Sequence, residues 1–468
     1  MTRLLSTLCA ALACAIVGCV TAPQTERPAN PVEPPDAFRA AEAEAAWVAR
    51  IGTPELADLI VAVWESNPNL RRLAARVEQA RAEARIAGAT RYPQMSAGAE
   101  ASLQETHVAF LPERLRDDRY TLSGTLSWEV DLWGRVRDAR ASADAAYEAT
   151  VADFGGARLA VAAAAASLWY DLAESEAQIR LARRTLESFR ANQRIVEQRY
   201  ESGLDTALQL RLARSNTAAA ESGLAARLRQ RDGYARALET LLGRYPTGDY
   251  APADQLPDSP DPVAPGLPSE LLERRPDIRA AAARFAAAAH GHSAARKARL
   301  PALRLTGTTG VTSEALSEVL ASDRFFWSLV GGLTSPIFDG GRISAETRRA
   351  VAQRHEAAYA YAETVLQAFQ EVETALAAEG HLREQARALG EAAEDAREAE
   401  RLATDRYERG LIPLTTLLEA QRRSFETQSH HLSIRAARLK NHVDLILALG
   451  GDFLTVDPPP HPHRPDLP

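Results

Sequence analysis

Few side chains in this sequence are spaced for covalent or metal chemistry. His290-Gly291-His292 and His430-His431 would suggest a metal centre, but histidines two apart on a helix point to different sides. No Cys or acid cluster stands beside them to complete a ligand set. Gly331-Gly332 and Gly340-Gly341 lack the spacing and the Lys of a phosphate-binding loop, and read instead as a strand flaw and a strand-to-helix turn. What remains is three thiols, Cys9, Cys14 and Cys19, all at the extreme N-terminus. No catalytic motif follows them, so the chain is expected not to be an enzyme. Its net charge of −7 argues against nucleic acid as a partner.

Those thiols belong to a recognisable leader. Arg3 is the only charge before the apolar run Leu4 to Val17, which is too short to cross a bilayer and reads as a signal peptide, residues 1–18. It ends in Ile16-Val17-Gly18-Cys19, two aliphatics and a small residue before a Cys, which resembles the bacterial lipobox. That resemblance implies cleavage before Cys19 and attachment of diacylglycerol and a palmitate-like acyl chain there, with no other cofactor. Cys9 and Cys14 would leave with the leader, so no disulfide is expected. Val20, where an Asp would retain a lipoprotein in the inner membrane, implies the outer membrane. Each buried lipid methylene contributes ~0.8 kcal/mol, so several chains anchor stably. Residues 19–50 then form a Pro-rich spacer, and 452–468 a Pro-rich tail without packed structure.

The remainder repeats itself. Asn67-Pro68-Asn69-Leu70-Arg71 lines up with Arg275-Pro276-Asp277-Ile278-Arg279, and Tyr92-Pro93 with Leu300-Pro301. Arg199-Tyr200-Glu201-Ser202-Gly203-Leu204 lines up with Arg406-Tyr407-Glu408-Arg409-Gly410-Leu411. The offset stays at 207 or 208 throughout. One unit is therefore used twice, over 51–245 and 269–451, joined by a linker at 246–268.

Within each unit the hydrophobic period changes. Leu56 to Arg91 is helical in spacing and is ended by Pro93. Met95, Ala97, Ala99, Ala101 and Leu103 then alternate with polar residues, as do Tyr120, Leu122, Leu126, Trp128 and Val130. Period two predicts strands with one apolar and one polar face, at about 94–104 and 119–130 in the first unit and 302–312 and 324–335 in the second. Tyr120, Trp128, Phe325 and Trp327 are candidates for interfacial aromatic girdles. Helical spacing returns from Gly134 to Tyr200, about 67 residues with a soft point at Gly155-Gly156, which at 1.5 Å per residue makes roughly 100 Å. Leu168, Leu172, Ser175, Ile179, Ala182, Leu186, Phe189, Gln193 and Val196 step as in a coiled coil. Gly203 breaks this helix and Leu208 to Leu242 returns. The second unit does the same from Arg342 to Tyr407, with a break at Gly410 and a return from Pro413 to Leu449.

Four strands cannot close in lipid, where open edges leave backbone groups unpaired. Two copies would give eight strands with a filled interior, and three would give twelve, enough for a lumen. In order and spacing, the lipobox, the repeat, Arg275 to Arg279, Pro336-Ile337-Phe338-Asp339-Gly340-Gly341-Arg342 and the Tyr-x-x-Gly turns resemble the TolC family of outer-membrane factors. The lipoprotein branch, of OprM and NodT type, fits best, over about residues 45 to 451. The resemblance implies a mainly α fold with membrane β structure: a homotrimer with a twelve-stranded β-barrel, four strands per chain, continued by a long α-helical barrel. It implies a passive outer-membrane duct of a tripartite efflux system, extending into the periplasm. Its partners would be a periplasmic adaptor (membrane fusion protein), an inner-membrane pump and outer-membrane lipid.

Carried over by position, the resemblance makes Tyr407 a latch at the periplasmic gate and Glu419 part of an acidic ring. Thr416 stands where some members add a second acid, and Ile412 where some carry a latch Arg, so closure would lean on Leu411, Ile412 and Leu414. Gly203, Leu204, Gly410 and Leu411 would form the tip that docks the adaptor. A surface lipoprotein with a coiled-coil stalk is the competing expectation, but it has no need of two-faced strands.

Overall fold

A computed structural model describes residues 53–106, 115–251, 256–257, 272–320 and 323–451. The leader, Cys19, the spacer, most of the linker and the 452–468 tail lie outside the described residues. The elements run α1 (Pro54–Ser66), α2 (Pro68–Ala89), β1 (Gln94–Thr106), β2 (Leu115–Val130), α3 (Arg135–Glu201), α4 (Ala207–Leu241), α5 (Pro276–Lys297), β3 (Ala302–Ser313), β4 (Phe325–Thr334), α6 (Arg342–Glu408) and α7 (Leu414–Ala448). Helices at matching places in the two repeats have equal lengths: 22 residues in α2 and α5, 67 in α3 and α6, 35 in α4 and α7.

The chain divides into two compact units. One holds the sheet, with residues 75–152 and 280–363. Its four strands are antiparallel in the order β1-β2-β3-β4. Register sets the faces, because paired residues share a side. Met95 pairs with Leu126 and Ala99 with Leu122, while Trp128 pairs with Leu305, Gly307 with Leu329, and Val311 with Phe325. These form one apolar face, which also carries Tyr120 and Trp327. The other face stacks Ser96, Thr125, Thr308 and Ser328 in one row and Glu100, Thr121 and Thr312 in another. Phe326 and Val330 depart from the alternation by standing on the polar face. Phe326 covers Gly310, where a Cβ would strike the Leu122 carbonyl oxygen and come within 3.0 Å of the Phe326 ring. Gly331-Gly332 lie inside a continuous β4 and make no flaw, whereas Gly340 and Gly341 both take positive φ at the turn into α6.

The other unit holds residues 153–279 and 364–451 with α1. Its core joins Leu56, Ile60 and Val63 of α1 to Trp169 and Leu172 of α3, Leu238 of α4, and Leu439, Val443 and Ile446 of α7. The coiled-coil positions expected on α3 are buried or half-buried, Leu172 and Val196 completely. Gly155-Gly156 does not interrupt α3; the absent side chains let Pro276 approach, its Cβ within 3.8 Å of where theirs would be.

One helix boundary differs from expectation. Leu56 to Arg91 is two helices, broken at Asn67 with ψ of 120°. Pro68 disfavours helical backbone in the residue before it, and the apolar spacing runs through the break undisturbed. Asn67 makes the break useful. Its Oδ1 accepts from the Leu70 N–H at 3.0 Å, and its Nδ2 donates to the Leu241 carbonyl at 2.8 Å. Arg275, its counterpart in the second repeat, donates to the Ala448 carbonyl at 2.7 Å and pairs with Asp277 and Glu371.

Candidate functional site

Both helix-to-helix turns are built the same way. At the first, the Gly203 N–H donates to the Tyr200 carbonyl at 3.0 Å and the Leu204 N–H to the Arg199 carbonyl at 2.8 Å. At the second, Gly410 donates to Tyr407 at 2.9 Å and Leu411 to Arg406 at 2.9 Å. This pair of bonds is the Schellman motif, which needs left-handed backbone at the residue after the helix. Gly203 has φ +74° and Gly410 φ +73°, with open space where a Cβ would stand. Conformation therefore demands glycine there, and crowding plays no part. The return helices start differently. Thr206 caps α4 in a reciprocal capping box with Gln209, whereas Pro413 caps α7 with no side-chain bond.

The residue after each glycine usually packs back on its own helix. Here Leu204 is 71% and Leu411 68% exposed. Each turn thus ends in a largely exposed apolar side chain. Of the three residues on which closure was expected to lean, Ile412 and Leu414 lie in a packed cluster and Leu411 lies outside it. Ile412 is half-buried and packs there with Val196, Leu210, Ala213, Leu414 and Leu417.

Tyr407 is buried and belongs to that cluster. The Arg199 guanidinium lies 5.7 Å from its ring centre. Its hydroxyl donates to Asp205 Oδ2 at 3.5 Å, and Arg199 Nε lies 3.2 Å from the same oxygen. Burial, and then the Asp205 charge, push the Tyr407 hydroxyl above the usual tyrosine pKa, so it stays neutral. Three residues thereby tie the first turn to the last residues of α6. Sequence reading singled out Tyr407 and did not single out Arg199 or Asp205, which the structure brings against it. The available signal was asymmetry: Asp205 and Ile412 occupy the same place in the two repeats, so the charge absent from the second turn is present in the first.

Glu419 and Thr416 are on the other, exposed side of α7, away from Leu414, Leu417 and Gln421. Glu419 does not stand alone. Arg422 Nη2 lies 2.8 Å from its carboxylate, and Arg422 also lies 3.5 Å from Glu426. The candidate gate residues therefore fall into two sets, Tyr407 with Ile412 in the packed cluster and Thr416 with Glu419 on an open helix face.

The sequence pattern of the outer membrane efflux protein family matches residues 59–244 and again 267–451. Outer membrane protein OprJ of Pseudomonas aeruginosa is 34% identical over 454 residues, covering 94% of this chain and 95% of that protein. Pyoverdine export outer membrane protein OpmQ of Pseudomonas putida is 33% identical over 424 residues, 88% and 89% of the two. Among solved structures, a membrane protein from Pseudomonas aeruginosa superposes with a TM-score of 0.86 at 34% identity, over 92% of this chain and 98% of that one. The open state of the MtrE outer membrane channel of Neisseria gonorrhoeae gives 0.83 at 29% identity, over 93% and 99%. With a tandem match to one pattern and relatives that align over nearly their whole length, this chain belongs to the outer membrane efflux protein family.

Proposed function

We propose that three copies of this chain close into a twelve-stranded barrel in the outer membrane, forming the duct through which an efflux assembly discharges. The observation that carries this is the sheet. Among the described residues it has one apolar face, one polar face and two unpaired edges, and Met95, Leu103, Phe325, Trp327, Leu329 and Leu333 on the edge strands are all more than 60% exposed. A soluble protein that left these side chains in water would forgo about 1.5–3 kcal/mol for each, and its open edges would invite aggregation. In lipid the apolar face is satisfied, and edge-to-edge pairing of successive copies satisfies the backbone. Twelve strands leave a lumen for the Ser, Thr and Glu face. The test is a heat-sensitive trimer in outer-membrane extracts that conducts ions in planar bilayers. A monomer that remains soluble without detergent would overturn the reading.

The gate lies at the two turns. Arg199, Asp205 and Tyr407 hold the hairpins together within each chain and keep the aperture narrow. Glu419 and Thr416 face the axis, where three Glu419–Arg422 pairs form a ring of nearly balanced charge that selects only weakly among ions. The exposed Leu204 and Leu411 dock a periplasmic adaptor that connects the duct to an inner-membrane pump. Leu411→Asp should leave trimer yield unchanged and lower drug resistance in a reporter cell at least fourfold. Unchanged resistance would remove the docking role.

Cys19 carries the lipid anchor. Cys19→Ser should abolish incorporation of labelled palmitate and leave the leader uncleaved at that site, seen as a slower gel band. Barrel assembly should continue, since the strands supply their own membrane affinity.

A further inference from the structure

Within the chain, the start of α3 is fastened to the end of α5 by three contacts. Trp133 Nε1 donates to the Pro301 carbonyl at 2.7 Å. Lys297 Nζ meets Asp138 at 2.7 Å, both side chains at most 5% exposed. Ser142 Oγ donates to the Ala287 carbonyl at 2.7 Å, with room left by Gly291, whose Cβ would stand 3.4 Å from that oxygen. These contacts join the first repeat to the second, beside the β2–β3 pairing.

The same two element types occur once more without each other. The β4–α6 junction is the second repeat's counterpart of the β2–α3 junction, and the α2–β1 corner is the first repeat's counterpart of the α5–β3 corner. Both belong to the sheet's free edges. At the first, Ile337 is 99% and Phe338 92% exposed. They are held out by a fixed turn: Asp339 accepts from the N–H groups of Gly341 at 2.9 Å and Ile343 at 2.8 Å. At the second, Tyr92 is 66% exposed.

We infer that Ile337 and Phe338 form an apolar knob that packs on the Tyr92–Pro93 corner of the next copy, so that the β4–α6 junction meets the α2–β1 corner between chains as the β2–α3 junction meets the α5–β3 corner within one; Gly340 stands at the position of Trp133, and the knob two residues before it takes the place of the indole. The substituted residues fit a second copy of this chain. Where the internal contact uses Asp138 and Lys297, the outer positions hold Ala345 and Ala89, small and uncharged, which lets two apolar surfaces close together. Where Ser142 meets Gly291, the outer positions are Arg349 and Glu83, both exposed and of opposite charge. The internal joint is thus polar and the joint between copies is apolar with one ion pair at its rim.

This inference rests on the trimeric duct proposed above, so the experiment separates the two. Full-length chains carrying Phe338→Cys with Tyr92→Cys are treated in outer-membrane vesicles with a short bismaleimide, beside an edge pair, Ala99→Cys with Leu329→Cys, and the single variants. Both pairs should give a ladder ending at the trimer, which the single variants lack. If the edge pair crosslinks and the Phe338–Tyr92 pair does not, the knob is refuted while the duct stands; if neither does, both fall. Phe338→Asp should lower the fraction of trimer surviving heating at least fivefold, and adding Tyr92→Arg should restore most of it. Failure of that rescue, with the trimer still formed before heating, would also overturn the contact.

Discussion

Leu329→Arg is expected to abolish insertion of the trimer, whereas Ser328→Arg, at the neighbouring position, is expected to be tolerated. Leu329 lies at the middle of β4 and pairs with Gly307 on the apolar face; Ser328 pairs with Thr308 on the polar face. On the proposed barrel an arginine at position 329 enters the middle of the hydrocarbon, at a cost of about 2–4 kcal/mol for each chain. Three copies share one barrel, so the penalty on assembly is roughly 6–12 kcal/mol, comparable to the whole stability of an ordinary domain. At position 328 the same charge enters a watery lumen beside hydroxyls and costs little. Both variants add one arginine to the same strand, so expression or general β-propensity cannot separate them. Heat-modifiable trimer in outer-membrane fractions, and the urea midpoint for refolding into vesicles, measure the difference. Equal tolerance of both variants would mean that the apolar face does not meet lipid.

That sidedness is legible in the order of the residues. Alternation at Met95 to Leu103 and at Tyr120 to Val130 locates β1 and β2 to within about a turn's length at every end, and β3 and β4 more closely still. The long helices end close to where the sequence places them, because glycines with positive φ mark their ends. What the pattern conceals has a physical cause in each case. The break at Asn67 hides because apolar spacing on α1 and α2 continues across it, and only Pro68 marks it. Phe326 on the polar face breaks alternation for the sake of covering Gly310, a contact that exists only once strands are paired. Arg199 and Asp205 carry charges, and charges on helices are usually solvated, so nothing local distinguishes a buried ion pair from a surface one.

In the proposed gate, the Asp205 carboxylate is the most vulnerable point. It is 3% exposed and serves two partners, Arg199 at 3.2 Å and the Tyr407 hydroxyl at 3.5 Å. Asp205→Ala leaves the Arg199 cation, about a third exposed, beside an apolar cluster with its counter-charge gone. A fully buried pair broken in this way loses about 3–5 kcal/mol, an exposed one about 0–1; partial exposure of Arg199 places this loss at about 1–3 kcal/mol per chain. In the proposed trimer three chains meet at one aperture, so the closed arrangement would lose roughly 3–9 kcal/mol, enough to shift its equilibrium with an open one by at least about 100-fold. The expected result is a raised single-channel conductance and entry of large antibiotics that the parent excludes. Tyr407→Phe removes only the long hydroxyl bond and keeps the ring under Arg199, so it should change conductance little. Because burial raises the Tyr407 pKa, the hydroxyl's contribution is complete below its ordinary value near 10 and declines only as pH rises through the higher value in the folded chain. Conductance of the parent should therefore be flat in its dependence on this group from about pH 6 to 9. If Asp205→Ala conducts like the parent while Tyr407→Phe leaks, the hydroxyl and not the ion pair is what restrains the hairpins.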